Sequence, residues 1–189
     1  MAAKPSPDCE VFIGPTAFLS IAVAAVEVYP RETVGILIGL RGGKKIWVEY
    51  AVPIQTADRK DDTVSWRPHI ARRIKRFMTG STALEVVGGF HSHPWPERKS
   101  LYKGMNRLSK ADLKSWKPPE IEVVASVIKN GGVDSHGKAL AWKHLKGGTL
   151  QGAIGDYAVR MTAWYSRDGV QKKPRIAYVR CPFATGMDR

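Results

Sequence analysis

Two histidines near the middle of the chain constrain its fold more than any other feature. Residues 85–94 read Glu-Val-Val-Gly-Gly-Phe-His-Ser-His-Pro. The first part of this run is apolar, as a buried strand is. Side chains alternate along a strand, so His91 and His93 share one face and Ser92 takes the other. Two imidazoles so spaced can grip the same metal ion. Pro94 cannot donate to a sheet ladder, which predicts that the strand stops there and leaves the histidines at its C-terminal mouth. The rest of the chain must supply a third ligand, a general base, a wall and a substrate groove.

Ser109 and Asp112 follow downstream in the pattern Ser-x-x-Asp. One reading is purely structural: Ser at an N-cap with an acidic residue three positions on resembles a capping box, although Glu or Gln is usual there. The other reading uses the same geometry. A helix that starts near the strand mouth aims Asp112 at the metal and turns the Ser109 hydroxyl toward the site. Two histidines, one carboxylate and water make the open pattern of a catalytic zinc site, whereas a structural site is closed by four protein ligands. Zinc is the expected metal, because it supports hydrolysis without redox chemistry. Glu32, just after Pro30, reads as a solvated turn residue by itself. Beside a metal it becomes a candidate general base that passes a proton to a leaving amine.

A length of 189 residues predicts one domain with a real core. We expect a leader over residues 1–10, a single catalytic domain over 11–182 and a tail over 183–189. No apolar run is long enough to cross a bilayer, and residues 1–7 lack the apolar core of a signal peptide. A cytoplasmic location is the expectation. Cys9 and Cys181 are too few for a disulfide scaffold, though a bridge between them is open if the chain ends meet. The net charge of +13 fits attraction to an acidic partner, or simple solubility. Its densest cluster is Arg72, Arg73, Lys75 and Arg76. These lie on a helix whose other face carries Ile70, Ile74, Phe77 and Met78, so a solvated helix face accounts for them.

In chain order, residues 11–13 predict a short strand. A helix begins at Gly14-Pro15 and ends at Pro30. Residues 33–40 predict a central strand, 41–44 a hairpin turn and 45–52 the returning strand. Residues 53–66 predict a loop beside the site. A helix over 68–78 leads into the histidine strand. Residues 94–108 predict a long basic loop that holds Trp95, Arg98, Lys99, Tyr102, Lys103 and Arg107. A short helix over 109–116, a strong strand over 121–128 and a turn at 130–132 follow. Residues 139–144 continue the sheet. A C-terminal hairpin pairs 157–165 with 175–181, turning at Asp168-Gly169.

Together these pieces resemble the JAMM (MPN-plus) metalloprotease family. Its pattern is a Glu ahead of a glycine-containing apolar strand, then His-Ser/Thr-His-Pro, then Ser-x-x-Asp. Here it reads Glu32-Thr-Val-Gly-Ile-Leu-Ile-Gly39, then His91-Ser92-His93-Pro94, then Ser109-Lys-Ala-Asp112. The resemblance covers roughly residues 15–145. It implies an α/β fold with a mixed β-sheet flanked by helices, similar to that of the cytidine deaminases. It implies one zinc per chain held by His91, His93 and Asp112, with water in the fourth position. Glu32 is then general acid/base, and Ser109 helps stabilise the oxyanion. The implied activity is hydrolysis of the amide or isopeptide bond after the C-terminus of a ubiquitin-like protein.

One departure is the connection from His93 to Ser109, which is longer than the family usually has. Its spare length makes the loop a candidate for substrate selection, through Trp95, Arg98, Tyr102 and Lys103. Two rival expectations are kept. One is a catalytically silent scaffold of the same fold. The other is a RadC-like protein associated with nucleic acid, a less favoured partner that the positive charge keeps open.

Overall fold

The computed structural model describes residues 8–59, 64–65, 68–95, 107–133, 136–166 and 174–186. β1 (Glu10–Ile13) leads through Gly14 into α1 (Pro15–Glu27), with Pro15 in the first turn, where its missing N–H costs nothing. β2 (Val34–Gly42) and β3 (Lys45–Pro53) form an antiparallel hairpin around Gly43-Lys44. Gly43 has φ +58°, the left-handed conformation that glycine takes without a steric cost. A small ladder of β4 (Asp58–Arg59) and β5 (Val64–Ser65) precedes α2 (Pro68–Ser81).

β6 (Glu85–Trp95) carries the histidines, and α3 (Lys110–Ser115) follows. Then come β7 (Ile121–Ile128), β8 (Lys143–His144), β9 (Leu150–Ile154), β10 (Tyr157–Tyr165), β11 (Arg175–Arg180) and α4 (Pro182–Thr185).

Among the described residues, nine strands make one mixed sheet in the order β11-β1-β3-β2-β6-β7-β10-β9-β8. The sheet also curls back on itself, because the end of β10 pairs with β11. β6 is central, antiparallel to β2 on one side and parallel to β7 on the other.

Strand alternation gives this sheet two different faces. Leu37, Phe90, Val123, Ala125, Val127 and Met161 join Phe18, Ile21, Ala22 and Ala25 of α1 in the main core. The opposite face of β2 and β6 is covered by α2, whose Ile70, Ile74 and Met78 pack on Val34, Ile36, Ile38 and Val86. Gly35 is needed for the first of these packings. A Cβ there would stand 2.1 Å from the Phe90 ring, so only glycine lets that ring lie across β2. The site lies on the α2 face, because Val34 pairs with His91.

Several expectations need correction. β6 does not stop at Pro94 but continues to Trp95, with Pro94 opposite Val127 of β7. Ser92 donates its N–H toward Thr33. The N of Pro94, two residues on, therefore faces the same side, beyond the last β2 partner, where no ladder bond is lost. The expected loop over 53–66 contains the β4–β5 ladder. Of residues 139–144, only Lys143 and His144 form a strand, together with an isolated bridge between Val133 and Ala139.

β9, unforeseen, pairs with the first half of β10 and leaves only the end of β10 for the expected hairpin with β11. The turn at Asp168-Gly169 lies outside the described residues. Phe77 is 67% exposed rather than packed.

Residues 8–10 and 182–185 are knitted in further than expected. Cys9 is buried, Asp8 bonds Arg175 at 3.1 Å, and Glu10 bonds Arg180 at 2.6 Å. Residues 182–185 form α4 rather than a tail, and Phe183 meets Phe18 edge-on at 5.9 Å. Cys9 and Cys181 are both buried free thiols. β1 and β11 run parallel with Phe12 opposite Arg180. The cysteines are thus offset by four residues along the strands, roughly 13 Å, too far for a bridge. Burial pushes the Cys9 thiol up to about 11, and burial raises that of Cys181 as well.

Candidate metal centre

β6 delivers His91 and His93 to one face, as alternation requires. Their Nε2 atoms stand 3.1 Å apart. Ser92 turns to the other side and is buried. Its Oγ accepts the Thr33 N–H at 2.8 Å, and its own N–H donates to the Thr33 carbonyl at 3.0 Å. This double tie fixes the end of β6 to the residue that follows Glu32. Val34 pairs with His91. Glu32 lies one residue before the double tie. Glu32 is half-buried.

Asp112 comes from α3, and both readings of Ser-x-x-Asp hold at once. Ser109 is the N-cap. Its Oγ accepts the Asp112 N–H at 3.1 Å, and its own N–H donates to Asp112 Oδ2 at 2.6 Å. The same Oδ2 lies 3.5 Å from His91 Nε2 and 3.4 Å from His93 Nε2. The capping box therefore holds the carboxylate in place for the histidines. Trp116 closes the helix, with its backbone N–H on the Asp112 carbonyl at 2.8 Å and its indole N–H on the Glu120 carbonyl at 2.7 Å.

The sequence reading missed Glu122. Its Oε1 lies 2.6 Å from His91 Nδ1. Glu122 sits on β7 opposite Gly89, two residues before the strand position that pairs with His91. It therefore projects on the face that the histidines share. A signal was present: Glu122 is the one charged residue in an otherwise buried strand, Ile-Glu-Val-Val-Ala-Ser-Val-Ile. What was lacking was the parallel pairing of β6 with β7, which sequence alone does not reveal.

Electrostatics fit a cation at the three converging atoms. Burial opposes charge on His91, but bonds to Asp112 and Glu122 outweigh it and hold the imidazole well above its usual value. Burial likewise opposes the charge on Asp112. The two histidines and the Ser109 N–H overcome that effect and keep its carboxyl far below the usual range. Two carboxylates thus draw positive charge to the imidazoles, and a divalent ion balances both. The spacing agrees. In a tetrahedral zinc site with bonds of about 2.0–2.1 Å, neighbouring ligand atoms are separated by about 3.3 Å. The three separations here are 3.1, 3.4 and 3.5 Å. His91, His93 and Asp112 therefore form a group that fits zinc, and they are the one such group among the described residues.

The remaining candidates differ in where they stand relative to this group. Ser109 is exposed, beside the carboxylate that it caps. Trp95 is half-buried against Ile128 and Ala158, and its carbonyl accepts the Tyr29 hydroxyl at 3.2 Å. It serves as packing at the end of β6. Arg98, Tyr102 and Lys103 lie outside the described residues. A shallow apolar groove of about 390 Å³, lined by Phe12, Trp47, Pro182 and Phe183 among others, shares no residue with the metal group. No helix among the described residues is long and apolar enough to cross a membrane.

Comparison with known proteins agrees with this geometry. The family described as prokaryotic homologs of the JAB domain matches residues 15–142, which span α1 through the loop after β7 and hold every member of the site. No curated protein matches at a significant level. Among solved structures, the chain is similar to the protein DSY2949 of Desulfitobacterium hafniense, with a TM-score of 0.59 and 17% identity. The match covers 90% of this chain and 92% of that one. At such identity the likeness speaks for the fold alone. The chain belongs to the family of prokaryotic JAB-domain homologues.

Proposed function

We propose that this chain is a zinc-dependent peptidase that hydrolyses the bond after the C-terminus of a ubiquitin-like modifier, in deconjugation or in precursor processing. The observation that carries the reading is the convergence of His91 Nε2, His93 Nε2 and Asp112 Oδ2 at zinc-like spacing. A silent scaffold has no use for three donors so arranged. The Thr33–Ser92 tie adds support, because it ties the segment carrying Glu32 to the strand carrying the histidines.

Zinc held by His91, His93 and Asp112 supplies polarisation of the scissile carbonyl and a lower pKa for the attacking water. The protein provides the rest. Glu32 takes the proton of that water and returns it to the leaving amine. Ser109 already accepts the Asp112 N–H through its oxygen. Its hydroxyl hydrogen stays available to donate to the developing oxyanion. The β4–β5 ladder follows Ile54 and Ala57, which pack beside Val34, so it offers a sheet edge for an extended substrate tail.

The test pairs wild type with Glu32→Gln on a panel of ubiquitin-like proteins fused to a reporter. The variant should keep its zinc and lose about 10²–10⁴-fold in cleavage rate, as removal of a general base does. Equal rates remove the role given to Glu32. A zinc-loaded wild type that cleaves none of the fusions removes the substrate class.

A further inference from the structure

We propose that Glu122 is a positioning residue that locks His91 in its metal-binding orientation and tautomer. The inference rests on the zinc reading of the site and goes beyond it, since Glu122 contacts no point where the three ligand atoms meet. A neutral imidazole has one N–H and one lone pair. If Nδ1 carries the hydrogen, Nε2 presents its lone pair to a metal. Glu122 Oε1, at 2.6 Å from Nδ1, is an acceptor that imposes this arrangement. A carboxylate behind a histidine ligand also makes the imidazole a stronger donor and fixes its ring plane.

Two further observations point the same way. β7 pairs in parallel with β6, with Gly89 opposite Glu122 and Val124 opposite His91. Glu122 therefore reaches along the sheet to the next rung, a geometry set by backbone pairing rather than by a mobile loop. Gly89 also leaves the room this requires. A Cβ at residue 89 would stand 2.9 Å from Glu122 Oε2. The glycine opposite the carboxylate is thus part of the device, and any larger residue there must push the carboxylate aside. Gly89 and Glu122 form a pair, one supplying the acceptor and the other the space in which it turns toward His91.

His93 has a different neighbour. Across the β6–β7 ladder it stands opposite Ser126, which is buried. The two ligands that look alike in sequence therefore differ in surroundings: a carboxylate is bonded to one, and a serine stands opposite the other.

The test measures zinc affinity by competition with a chromophoric chelator, on wild type, Glu122→Gln, Glu122→Ala and Gly89→Ala. Circular dichroism checks that each is folded. Glu122→Ala should lose about 10–100-fold in affinity, the usual cost of removing such a partner. Glu122→Gln should lose less, because its amide oxygen still accepts from Nδ1. Gly89→Ala should weaken zinc slightly, by displacing the carboxylate while leaving every ligand and Glu122 in the sequence. In the zinc-loaded wild type, proton NMR should show a downfield His91 Nδ1–H that Glu122→Ala abolishes; a merely structural role would not move that signal. Glu122→Ala within twofold of a zinc-binding wild type overturns the role of Glu122; if that variant fails to fold, Glu122→Leu, which has no acceptor for Nδ1 either, is judged by the same limit. A wild type with no zinc affinity instead overturns the zinc reading on which it rests.

Discussion

Along β6 and β7, successive residues alternate between two environments. Phe90, Val123, Ala125 and Val127 point into the α1 core and are essentially inaccessible to solvent. Their neighbours Gly89, His91, His93, Glu122 and Ser126 point the other way and carry the polar chemistry. The apolar face holds the strands in register, and the register sets the distances on the polar face. The site therefore borrows its rigidity from a core that it does not touch. Donor atoms two residues apart on one strand keep their spacing through the backbone, with Glu122 bonded behind the His91 ring, and only Asp112 needs a separate element, with its own cap, to reach them.

This contrast predicts different failures on the two faces. Phe90→Ala should cost about 3–5 kcal/mol in denaturant unfolding, as large-to-small core changes do. It should harm zinc binding only in proportion to the unfolded fraction. Loss of zinc from a still-folded Phe90→Ala would show the faces to be coupled more tightly than alternation implies. A smaller effect is expected at the one separate element. Ser109→Ala removes the side-chain half of the cap and should cost about 1 kcal/mol, with little change in zinc binding because the backbone N–H of residue 109 still holds Asp112 Oδ2. The smallest change in stability belongs to the polar face. His93→Ala should alter unfolding of the metal-free protein by no more than about 1 kcal/mol while removing the metal site. A large loss of stability there would make His93 a core residue and break the comparison.

Legibility in the sequence followed the same division. His91 and His93 could be read because strand alternation is local, and Ser109 with Asp112 because a cap and its partner lie within one helical turn. The central strands around Gly35 and Val124 stood out as apolar runs. What escaped the reading depends on pairing between distant segments. Glu122 acts on His91 only because β7 lies parallel to β6. Pro94 stays within a strand only because the ladder with β2 ends at His91, three residues earlier on its side. β9 was missed because its short run, Leu150–Ile154, carries three polar or small positions and pairs along its length with β10. Phe77 shows the limit of helical periodicity, which placed it on a stripe that in fact consists of Ile70, Ile74 and Met78.

The central claim is that His91, His93 and Asp112 form one metal site on the polar face. Elemental analysis of purified wild type and His93→Ala tests it most directly. The account predicts about one zinc per wild-type chain, the stoichiometry of a single three-ligand site, and none in the folded variant. A wild type with no tightly bound divalent metal, or a variant that retains its zinc, would contradict it.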